Sequence, residues 1–440
     1  MTRVYDVIIV GARLAGAATA ALLARQGARV LLLERTTFPS PIVSCPIFFG
    51  DSLVLLDHIG VLGDVETIGA PRIRRYGLRS PRFDVVAELP PAYGYDYAYS
   101  IRREVLDTVI LRSIANQNAI EVREGFTVTD LIQANGRVVG VRGRSGGGAE
   151  ESLYAYGVIG ADGKRSLVAR AVGSSIYASM SVGTCFFYAY YRDFAPLDEP
   201  SAVVYTEDEW NKGVLVIDAD DDLTLVSMAA DQQQFEQIRK DPEAALEAAW
   251  RAMPELRQRG EQATRVTPVM GEHAWDSFYR QSYGPGWALV GDAGHTIDPF
   301  TSKGIRNALR SAEILAQAWQ QTRRRDSWVD AMARYQWQRD TETMPMFQFL
   351  EMTMLVQEMA RMGFDLGSLV MRALARRPEM AQYYVGIYNG ATPVETFLDP
   401  FTIMSLIAED VLCYELPDKV AELFSRMTTL RSSPVASEPI

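Results

Sequence analysis

Cysteine is scarce in this chain of 440 residues. It occurs at Cys45, Cys185 and Cys413, and no two of these are spaced as Cys-x-x-Cys. Isolated cysteines argue against both a disulfide framework and a cysteine-ligated zinc site. We therefore predict a protein without a structural metal, in a reducing compartment.

The chain also lacks an excess of basic residues, a basic leader and a long uninterrupted apolar run. Its formal net charge of −11 and isoelectric point near 5.0 argue against nucleic acid or an anionic membrane as the main partner, because both bind basic surfaces. The first apolar segment, "YDVIIVG", is too short for a membrane span. We expect a cytoplasmic protein with no integral membrane segment and no nucleic acid partner.

The first segment has the pattern of a strand, a tight turn, a helix and a second strand. "VYDVIIVG" and "ARVLLLER" are short apolar strands, and the residues from Leu14 to Gln26 have helical spacing. Gly11 permits the tight turn, Gly16 permits close packing of helix on strand, and Glu34 can accept hydrogen bonds from both ribose hydroxyls. Because a carboxylate there disfavours a 2′-phosphate, the pattern predicts FAD or NAD before NADP.

Arg13 stands where the middle glycine of G-x-G-x-x-G is expected. A residue with negative φ and its side chain turned aside still offers its backbone N–H, and a guanidinium near a pyrophosphate is favourable. The turn is therefore kept as a cofactor site, although this partial motif alone also fits a merely structural turn.

A second strand-to-helix segment, "WALVGDAGHTIDPFTSKGIRNALRSAEILAQAW", follows far downstream. Asp292 comes just after the strand, where its carboxylate suits a polyol hydroxyl. The N–H groups around Lys303, Gly304 and Ile305 lie at the start of a predicted helix and suit the partial negative charge of a reduced flavin ring. FAD needs such a second site, whereas NAD does not.

With these motifs in order, the sequence resembles the flavoprotein monooxygenase superfamily that includes para-hydroxybenzoate hydroxylase, and within it the geranylgeranyl-reductase-like branch. The resemblance covers roughly residues 1 to 330, and the opening turn is similar to that branch's G-A-R-x-A-G variant, which favours FAD. "SIRREVLD" resembles the family's R-x-x-L-D segment, which implies that Arg103 lies beside the flavin. "REGFTVTDLI" resembles a strand whose backbone near Val128 contacts adenine, and "VIGADGKRSLVAR" resembles the Asp-Gly motif of Asp162 and Gly163.

Position and resemblance together predict a set of FAD-binding residues. They are Gly11, Arg13, Leu14, Ala15, Gly16, Glu34, Arg35, Arg103, Val128, Asp162, Gly291, Asp292, Pro299, Lys303, Gly304 and Ile305.

Several of these residues have a structural alternative. Asp162 can equally cap a helix predicted to begin near Lys164, and Arg103 can be a solvated residue of a first helical turn. Lys303 either stabilises the anionic reduced flavin at its N1 and C2 carbonyl edge or points to water. His295 is expected to orient its loop by hydrogen bonds rather than to transfer protons.

The sequence departs from the family at places that bear on chemistry. "FPSPIVSCPIFFG" has Cys45 and Pro46 near where the branch often has a histidine, so the proton transfer of that histidine is absent. No Trp-x-Trp-x-Ile-Pro segment occurs, which argues against a flavin-dependent halogenase. There is also no second glycine-rich βαβ unit for NAD(P)H.

The middle of the chain has the pattern of a β-sheet. "GTCFFYAYYRDF", "SAVVYTED", "GVLVIDAD" and "LTLVSMAAD" are β-branched or aromatic runs separated by turn residues. Strand alternation places Phe186, Tyr188 and Tyr190 on one face, which we expect to roof the flavin and contact the substrate, with packing alone as the alternative. The opposite face, expected to cover a helix, has Cys185, Phe187 and Tyr191.

Beyond Trp328 the sequence becomes helical and rich in methionine. Such helices can line a pocket or an oligomer surface, so a homo-oligomer is one alternative, but we favour ordinary core packing. The methionines are Met344, Met346, Met352, Met354, Met359, Met362, Met371 and Met380.

The predicted fold class is α/β (α+β overall). A discontinuous Rossmann-type FAD-binding domain is expected at 1–175 and 265–330, with an inserted, mostly antiparallel substrate-binding sheet at 176–264 to which residues 70–100 contribute. A C-terminal helical region at 331–428 and a flexible tail at 429–440 complete the prediction.

The resemblance implies a FAD-dependent oxidoreductase, and we favour a single-component monooxygenase. In that chemistry NAD(P)H is the transient hydride donor, molecular oxygen adds at flavin C4a, and the hydroperoxide hydroxylates or epoxidises an aromatic, polyketide-like or other apolar small molecule. One alternative is a flavin-dependent C=C reductase or dehydrogenase, and another is a non-catalytic flavin-binding sensor. No catalytic acid or base is assigned.

Overall fold

The computed structural model describes residues 5–410, apart from 208–212, 274–275 and 323–326, together with Leu412. The predicted tail at 429–440 lies outside the described residues. The helices are α1 (Leu14–Arg25), α2 (Gly50–Ile59), α3 (Leu62–Glu66), α4 (Arg103–Ala115), α5 (Leu167–Ala171), α6 (Phe235–Ile238), α7 (Pro242–Ala252), α8 (Pro254–Arg259), α9 (Gly304–Thr322), α10 (Trp328–Arg361), α11 (Leu366–Ala375), α12 (Pro378–Asn389) and α13 (Pro400–Asp410).

The strands are two to ten residues long. They are β1 (Tyr5–Val10), β2 (Val30–Leu33), β3 (Ile47–Phe48), β4 (Arg75–Ser80), β5 (Phe83–Asp84), β6 (Ala87–Glu88), β7 (Tyr99–Ser100), β8 (Ile120–Arg123), β9 (Phe126–Ala134), β10 (Arg137–Ser145), β11 (Glu151–Gly160), β12 (Ile176–Met180), β13 (Thr184–Arg192), β14 (Ser201–Thr206), β15 (Gly213–Asp218), β16 (Thr224–Asp231), β17 (Thr264–Arg265), β18 (Met270–Glu272), β19 (Ser277–Arg280), β20 (Tyr283–Gly284), β21 (Trp287–Leu289) and β22 (His295–Thr296).

The first sheet has the strand order β20-β21-β11-β1-β2-β8, and β1 pairs in parallel with both β2 and β11. The predicted βαβ unit is confirmed, with Val7 opposite Val30 and Val10 opposite Leu33. Successive residues of β1 face opposite sides, so Ile9 packs with α1 and α9 whereas Ile8 packs with β9, β10 and α5. Helices α1 and α9 therefore cover one face of this sheet, and β9, β10 and α5 cover the other, so both faces are buried as a parallel sheet requires.

The second sheet runs β17-β13-β16-β15-β14-β4-β5. Its pairs from β13 to β14 are antiparallel, and β14 is parallel to β4, so residues 75–80 join this sheet from the N-terminal part of the chain. The mixed α/β architecture with a second, largely antiparallel sheet is the fold predicted from the sequence.

The C-terminal helices pack on both parts of the molecule. Helix α10 lies along α9, and α11 and α12 share a core with the second sheet. Met346 and Met371 are buried in that core, Met354 packs against it and Met362 is exposed. Among the described residues, none of the helices combines the length and apolar character that a membrane crossing requires.

Candidate cofactor and substrate site

The turn between β1 and α1 requires glycine at two positions. Gly11 has φ of +101°, and a Cβ added there would lie 2.4 Å from the carbonyl oxygen of Ala161. A Cβ added at Gly16 would lie 1.8 Å from the carbonyl oxygen of Gly11. The turn, the helix and β11 therefore approach as closely as backbones can, which is the role that the sequence predicted for both glycines.

Helix α1 begins without a side-chain cap. The first residues of the helix, Leu14 and Ala15, are only 3% and 9% exposed, so their N–H groups have little access to water. A buried helix N-terminus with unpaired N–H groups is an anion site, and the helix dipole adds to it. These residues fit the diphosphate of FAD.

Two of the three arginines predicted near the cofactor, Arg13 and Arg103, bind one buried carboxylate, that of Asp107 on α4. Arg13 Nη1 donates to Asp107 Oδ2 at 2.6 Å, and Arg103 Nη2 donates to Asp107 Oδ1 at 3.0 Å. Arg103 Nη1 also donates to Ser44 Oγ at 2.9 Å. The Arg13 side chain is thus turned aside from the cofactor turn, with φ of −74°, and Asp107 links that turn to the segment around Ser44.

Asp107 was missing from the predicted site, although a signal for it was present. It is the aspartate of "SIRREVLD", four residues after Arg103, which is the spacing of an ion pair along one helix face.

Glu34 lies just after β2, as predicted, and is buried. Its Oε2 accepts from Ala12 N at 2.9 Å, and its Oε1 accepts from Thr36 N and Thr36 Oγ1, both at 3.0 Å. A carboxylate has about four acceptor sites, so little capacity is left for two ribose hydroxyls. The contact with ribose stays a prediction.

Asp162 caps a helix in the described structure. Its Oδ2 accepts from Leu167 N at 2.6 Å and from Val168 N at 3.2 Å. The helix begins at Leu167 and not near Lys164, because Ser166 is its N-cap and accepts from Ala169 N. The other carboxylate oxygen of Asp162, Oδ1, is buried and has no hydrogen-bond partner in the described part of the chain, so a polar group of the cofactor would satisfy it.

A cavity of about 230 Å³ brings the cofactor segments and the second sheet together. Asp292, Gly304 and Ile305 line one side of it. A Cβ added at Gly304 would meet no atom within 4 Å, so this backbone borders open space. That opening fits the close approach of a flat ring to the N–H groups at the start of α9.

Asp292 is surrounded by protein but opens onto the cavity, so its side chain is still accessible. Burial raises the pKa of its carboxyl, and the charges of Lys164 and Arg103 oppose that shift. Lys164 also lines the cavity and pairs with Glu272, with Nζ 3.2 Å from Oε1. Lys164, which the sequence analysis did not select, is thus a cation that faces this site.

Lys303 does not face the cavity, which corrects its predicted role. Its Nζ donates to Asp51 Oδ2 at 2.6 Å and to the backbone oxygen of Tyr388 at 2.7 Å. The side chain is buried, and burial lowers the pKa of its ammonium while Asp51 opposes the shift. The ammonium therefore stabilises a buried carboxylate and points neither to a flavin nor to water; only its backbone N–H remains a cofactor candidate.

His295 also differs from its prediction. Both ring nitrogens are buried without a hydrogen-bond partner among the described residues, and the ring stacks on Tyr279 at a centroid distance of 5.3 Å. Burial and the charges of Arg339 and Arg306 lower its pKa well below the usual value. It is a neutral packing residue and orients nothing by hydrogen bonds.

The remaining predicted cofactor residues occupy varied positions. Gly291 has φ of +57°, and a Cβ added there would lie 2.7 Å from the Cβ of Ala15, so the two cofactor segments meet at this point. Pro299 lines the cavity, Val128 is buried on β9 and Arg35 is exposed. Their contacts with FAD stay predictions.

The aromatic residues of β13 alternate as predicted. Phe186 and Tyr188 line the cavity, whereas Tyr190 lies outside the lining and packs edge-on against Tyr188 with ring centroids 6.1 Å apart. On the other face, Tyr191 packs against Trp250 of α7. One face of β13 is covered by a helix and the other borders the cavity, as expected. Tyr190 was expected to contact the substrate, but it packs against Tyr188 instead.

Two further cavity residues were not predicted, Asp298 and Gln357. Asp298 stands in the quoted "DPFTSKG" segment, so its position beside Pro299 could have been noted. Gln357 lies in a helix whose sequence has no motif, so no local pattern could have selected it.

A protein-family model described as "FAD binding domain" matches residues 4–344. Among curated proteins, the tryptophan 2-halogenase of Chondromyces crocatus is 26% identical over 327 residues, which span 70% of this chain and 60% of that protein. A digeranylgeranylglycerophospholipid reductase of Methanocella arvoryzae is 29% identical over 321 residues, spanning 70% and 76% of the two chains.

Solved structures show the same fold. The myxobacterial chondrochloren halogenase superposes with a TM-score of 0.73 at 22% identity, covering 91% of this chain and 92% of its own. The p-nitrophenol 4-monooxygenase of Pseudomonas putida superposes with a TM-score of 0.71 at 19% identity, covering 88% and 99%. The chain therefore belongs to the FAD-binding-domain family and is a FAD-dependent oxidoreductase related to monooxygenases, halogenases and reductases.

Proposed function

We propose that the protein is a single-component monooxygenase that uses NADH or NADPH, FAD and molecular oxygen to oxygenate an apolar or aromatic small molecule. The observation that carries the proposal is the cavity, in which Asp292, Gly304 and Ile305 face the aromatic residues Phe186 and Tyr188. One space thus borders both the residues suited to the cofactor and an apolar wall suited to a substrate. The scattered cysteines favour a cytoplasmic location.

Bound FAD would supply hydride acceptance and oxygen activation, which no side chain can supply. The chain's own residues would bind and orient it. The N–H groups at the start of α1 suit the diphosphate, Asp292 suits a ribityl hydroxyl, and the N–H groups of Gly304 and Ile305 suit negative charge on the ring. The apolar walls would keep water from the reacting atoms.

Tyr188 positions the substrate wall without taking part in proton transfer. Its hydroxyl donates to the backbone oxygen of Ile42 at 3.3 Å and accepts from Ser44 N at 3.4 Å. Burial raises its pKa to about 12, so the phenol stays neutral near pH 7. Its ring, with that of Phe186, offers a flat surface on which an aromatic substrate can pack.

A C=C reductase is the second candidate. It is favoured by relatives named digeranylgeranylglycerophospholipid reductase and by the menaquinone reductase of Mycolicibacterium smegmatis, which is 26% identical over 341 residues. A mainly apolar cavity also suits a prenyl chain. Halogenase relatives add a third outcome for the test, although the Trp-x-Trp-x-Ile-Pro segment is missing.

The test begins with purified protein, which should release FAD rather than FMN on denaturation. NAD(P)H oxidation is then followed with phenols, polyketide-like aromatics and prenyl compounds, with and without oxygen, and with chloride or bromide present. A monooxygenase consumes oxygen in step with product and gives a product heavier by one oxygen atom.

Turnover at an undiminished rate without oxygen would instead establish the reductase. Halogenated product would establish the halogenase. Release of FMN, or the absence of any flavin site after reconstitution, would contradict the whole assignment.

A further inference from the structure

The C-terminal helices form one wall of the cavity, and this wall contains the side-chain amide of Gln357. Gln357, on α10, lines the cavity and is only 8% exposed. In the part of the chain that the structure describes, neither the oxygen nor the nitrogen of its amide has a hydrogen-bond partner. Met354 on the same helix and Tyr388 on α12 line the cavity near this wall and offer largely apolar surface.

The amide of Gln357 opens onto the cavity, so water or a ligand there can pair with it. Once a ligand displaces that water, leaving the amide unpaired is costly, since nearly all buried polar side chains in proteins have a partner. A methionine of similar length would pack there without that cost. The amide is therefore explained if a ligand in the cavity supplies the missing hydrogen bonds.

Asp298, in the segment that also contains Asp292 and Gly304, is a second polar group of the cavity that indicates a hydrogen-bonding ligand. It is 4% exposed and lines the cavity, and one of its carboxylate oxygens accepts from Phe300 N at 2.9 Å. Within the described residues, its second carboxylate oxygen has neither a donor nor a cation. The cavity thus presents a second polar group that a ligand displacing water from the cavity would have to pair.

We propose that Gln357 is a specificity-determining residue whose amide binds a hydroxyl group of the substrate, and that Asp298 is a second hydrogen-bonding group for the same molecule. A hydroxyl suits both, because it can accept from the amide N–H and donate to a carboxylate. The substrate is then a hydroxylated apolar molecule, and a bare hydrocarbon chain would leave both groups unpaired.

This inference rests on the proposed function only in taking the cavity as the substrate site. Gln357 lies beyond residue 344, where the match to the family model ends. The contact therefore belongs to the C-terminal helices of this chain and not to the shared cofactor-binding part.

The experiment measures the binding of two probes to the FAD-loaded protein by equilibrium dialysis. 2-Naphthol carries a hydroxyl, and 2-methylnaphthalene has a methyl group in its place. We expect the wild type to bind 2-naphthol about tenfold more tightly, as one good hydrogen bond gives. Gln357→Met should lose most of that preference and keep its affinity for 2-methylnaphthalene.

Gln348→Met is the matched control, because Gln348 is an exposed glutamine on the same helix. It should keep the full preference for 2-naphthol. Gln357→Met should melt close to the wild type without probe, because the amide makes no hydrogen bond within the described part of the protein. If Gln357→Met does not fold, Gln357→Leu replaces it in both measurements.

Two results would overturn the inference: a wild type that does not prefer 2-naphthol, or a Gln357→Met variant that keeps the preference. Neither depends on turnover. FAD content and oxygen-coupled oxidation of NAD(P)H are measured on the same preparations, so a failure of the proposed function is seen separately from a failure of this contact.

Discussion

Removing the ammonium of Lys303 should destabilise the protein far more than a typical surface substitution. The ammonium is 2.6 Å from Asp51 Oδ2, and the two side chains are only 9% and 7% exposed. In Lys303→Met the carboxylate of Asp51 stays buried but loses its cation. Among the residues that the structure describes, it keeps only the weak hydrogen bond from Ser52 Oγ at 3.2 Å.

The expected loss follows from these contacts. Breaking a buried ion pair by removing one partner costs about 3–5 kcal/mol, because the other charge is left uncompensated. The backbone oxygen of Tyr388, near the buried end of α12, also loses its donor. A domain has a total stability of about 5–15 kcal/mol, so the loss is a large fraction of it.

Urea unfolding of the FAD-loaded protein, followed by circular dichroism, measures the change as a shift in midpoint at an unchanged slope. The matched control is Asp51→Asn/Lys303→Met, which removes both charges and should recover most of the stability. A Lys303→Met protein within about 0.5 kcal/mol of the wild type would refute the reasoning, because surface substitutions usually fall in that range. A double variant as unstable as the single one would refute it equally.

Four further substitutions test the site. Gly11→Ala should prevent folding or FAD binding, since the new Cβ would lie 2.4 Å from a backbone oxygen. Gly304→Ala should keep the melting temperature of the wild type and lose FAD affinity, because its Cβ would point into open space. Equal effects of the two substitutions on the melting temperature would contradict this geometry. Asp292→Ala should weaken FAD binding about ten- to a hundredfold in a fluorescence titration, as loss of a charge-assisted hydrogen bond worth about 1.5–3 kcal/mol does, and unchanged affinity would remove its ribityl role. Burial raises the pKa of Asp298 from 3.8 to about 6, so the wild type should lose about 2 kcal/mol relative to Asp298→Asn between pH 4 and pH 6; parallel stability curves would contradict this.

Local patterns account for the parts of the fold that sequence could predict. Gly11 and Gly16 mark the turn because no side chain fits at either position, and the apolar runs before and after them can only be buried strands. Strand alternation also predicted correctly that Phe186 and Tyr188 lie on the cavity face, because the backbone of a strand fixes its two-residue period.

Contacts between distant segments account for what sequence could not predict. Lys303 and Asp51 are 252 residues apart, and no pattern near either one indicates the other. The prediction for Lys303 considered only a ligand or water as its partner, so a carboxylate on α2 was missed. Gln357 was missed for a related reason, because a glutamine in a helix is informative only once its surroundings show that it has no partner.

The same ion pair also connects the cofactor loop with the substrate wall, which gives a last prediction. Lys303 precedes Gly304 at the cavity, and its Nζ holds the backbone oxygen of Tyr388, whose ring lines the cavity 4.7 Å from that of Tyr76. Asp51→Asn/Lys303→Met keeps the fold but releases the end of α12. We therefore expect it to bind FAD nearly as the wild type does and to bind 2-naphthol several-fold more weakly, because the wall at Tyr388 is no longer fixed. Both affinities are measured on one preparation. Weaker FAD binding with unchanged 2-naphthol binding would mean that Lys303 positions the cofactor loop alone, and that α12 is held by the packing of Tyr388 against Tyr76 and Phe49.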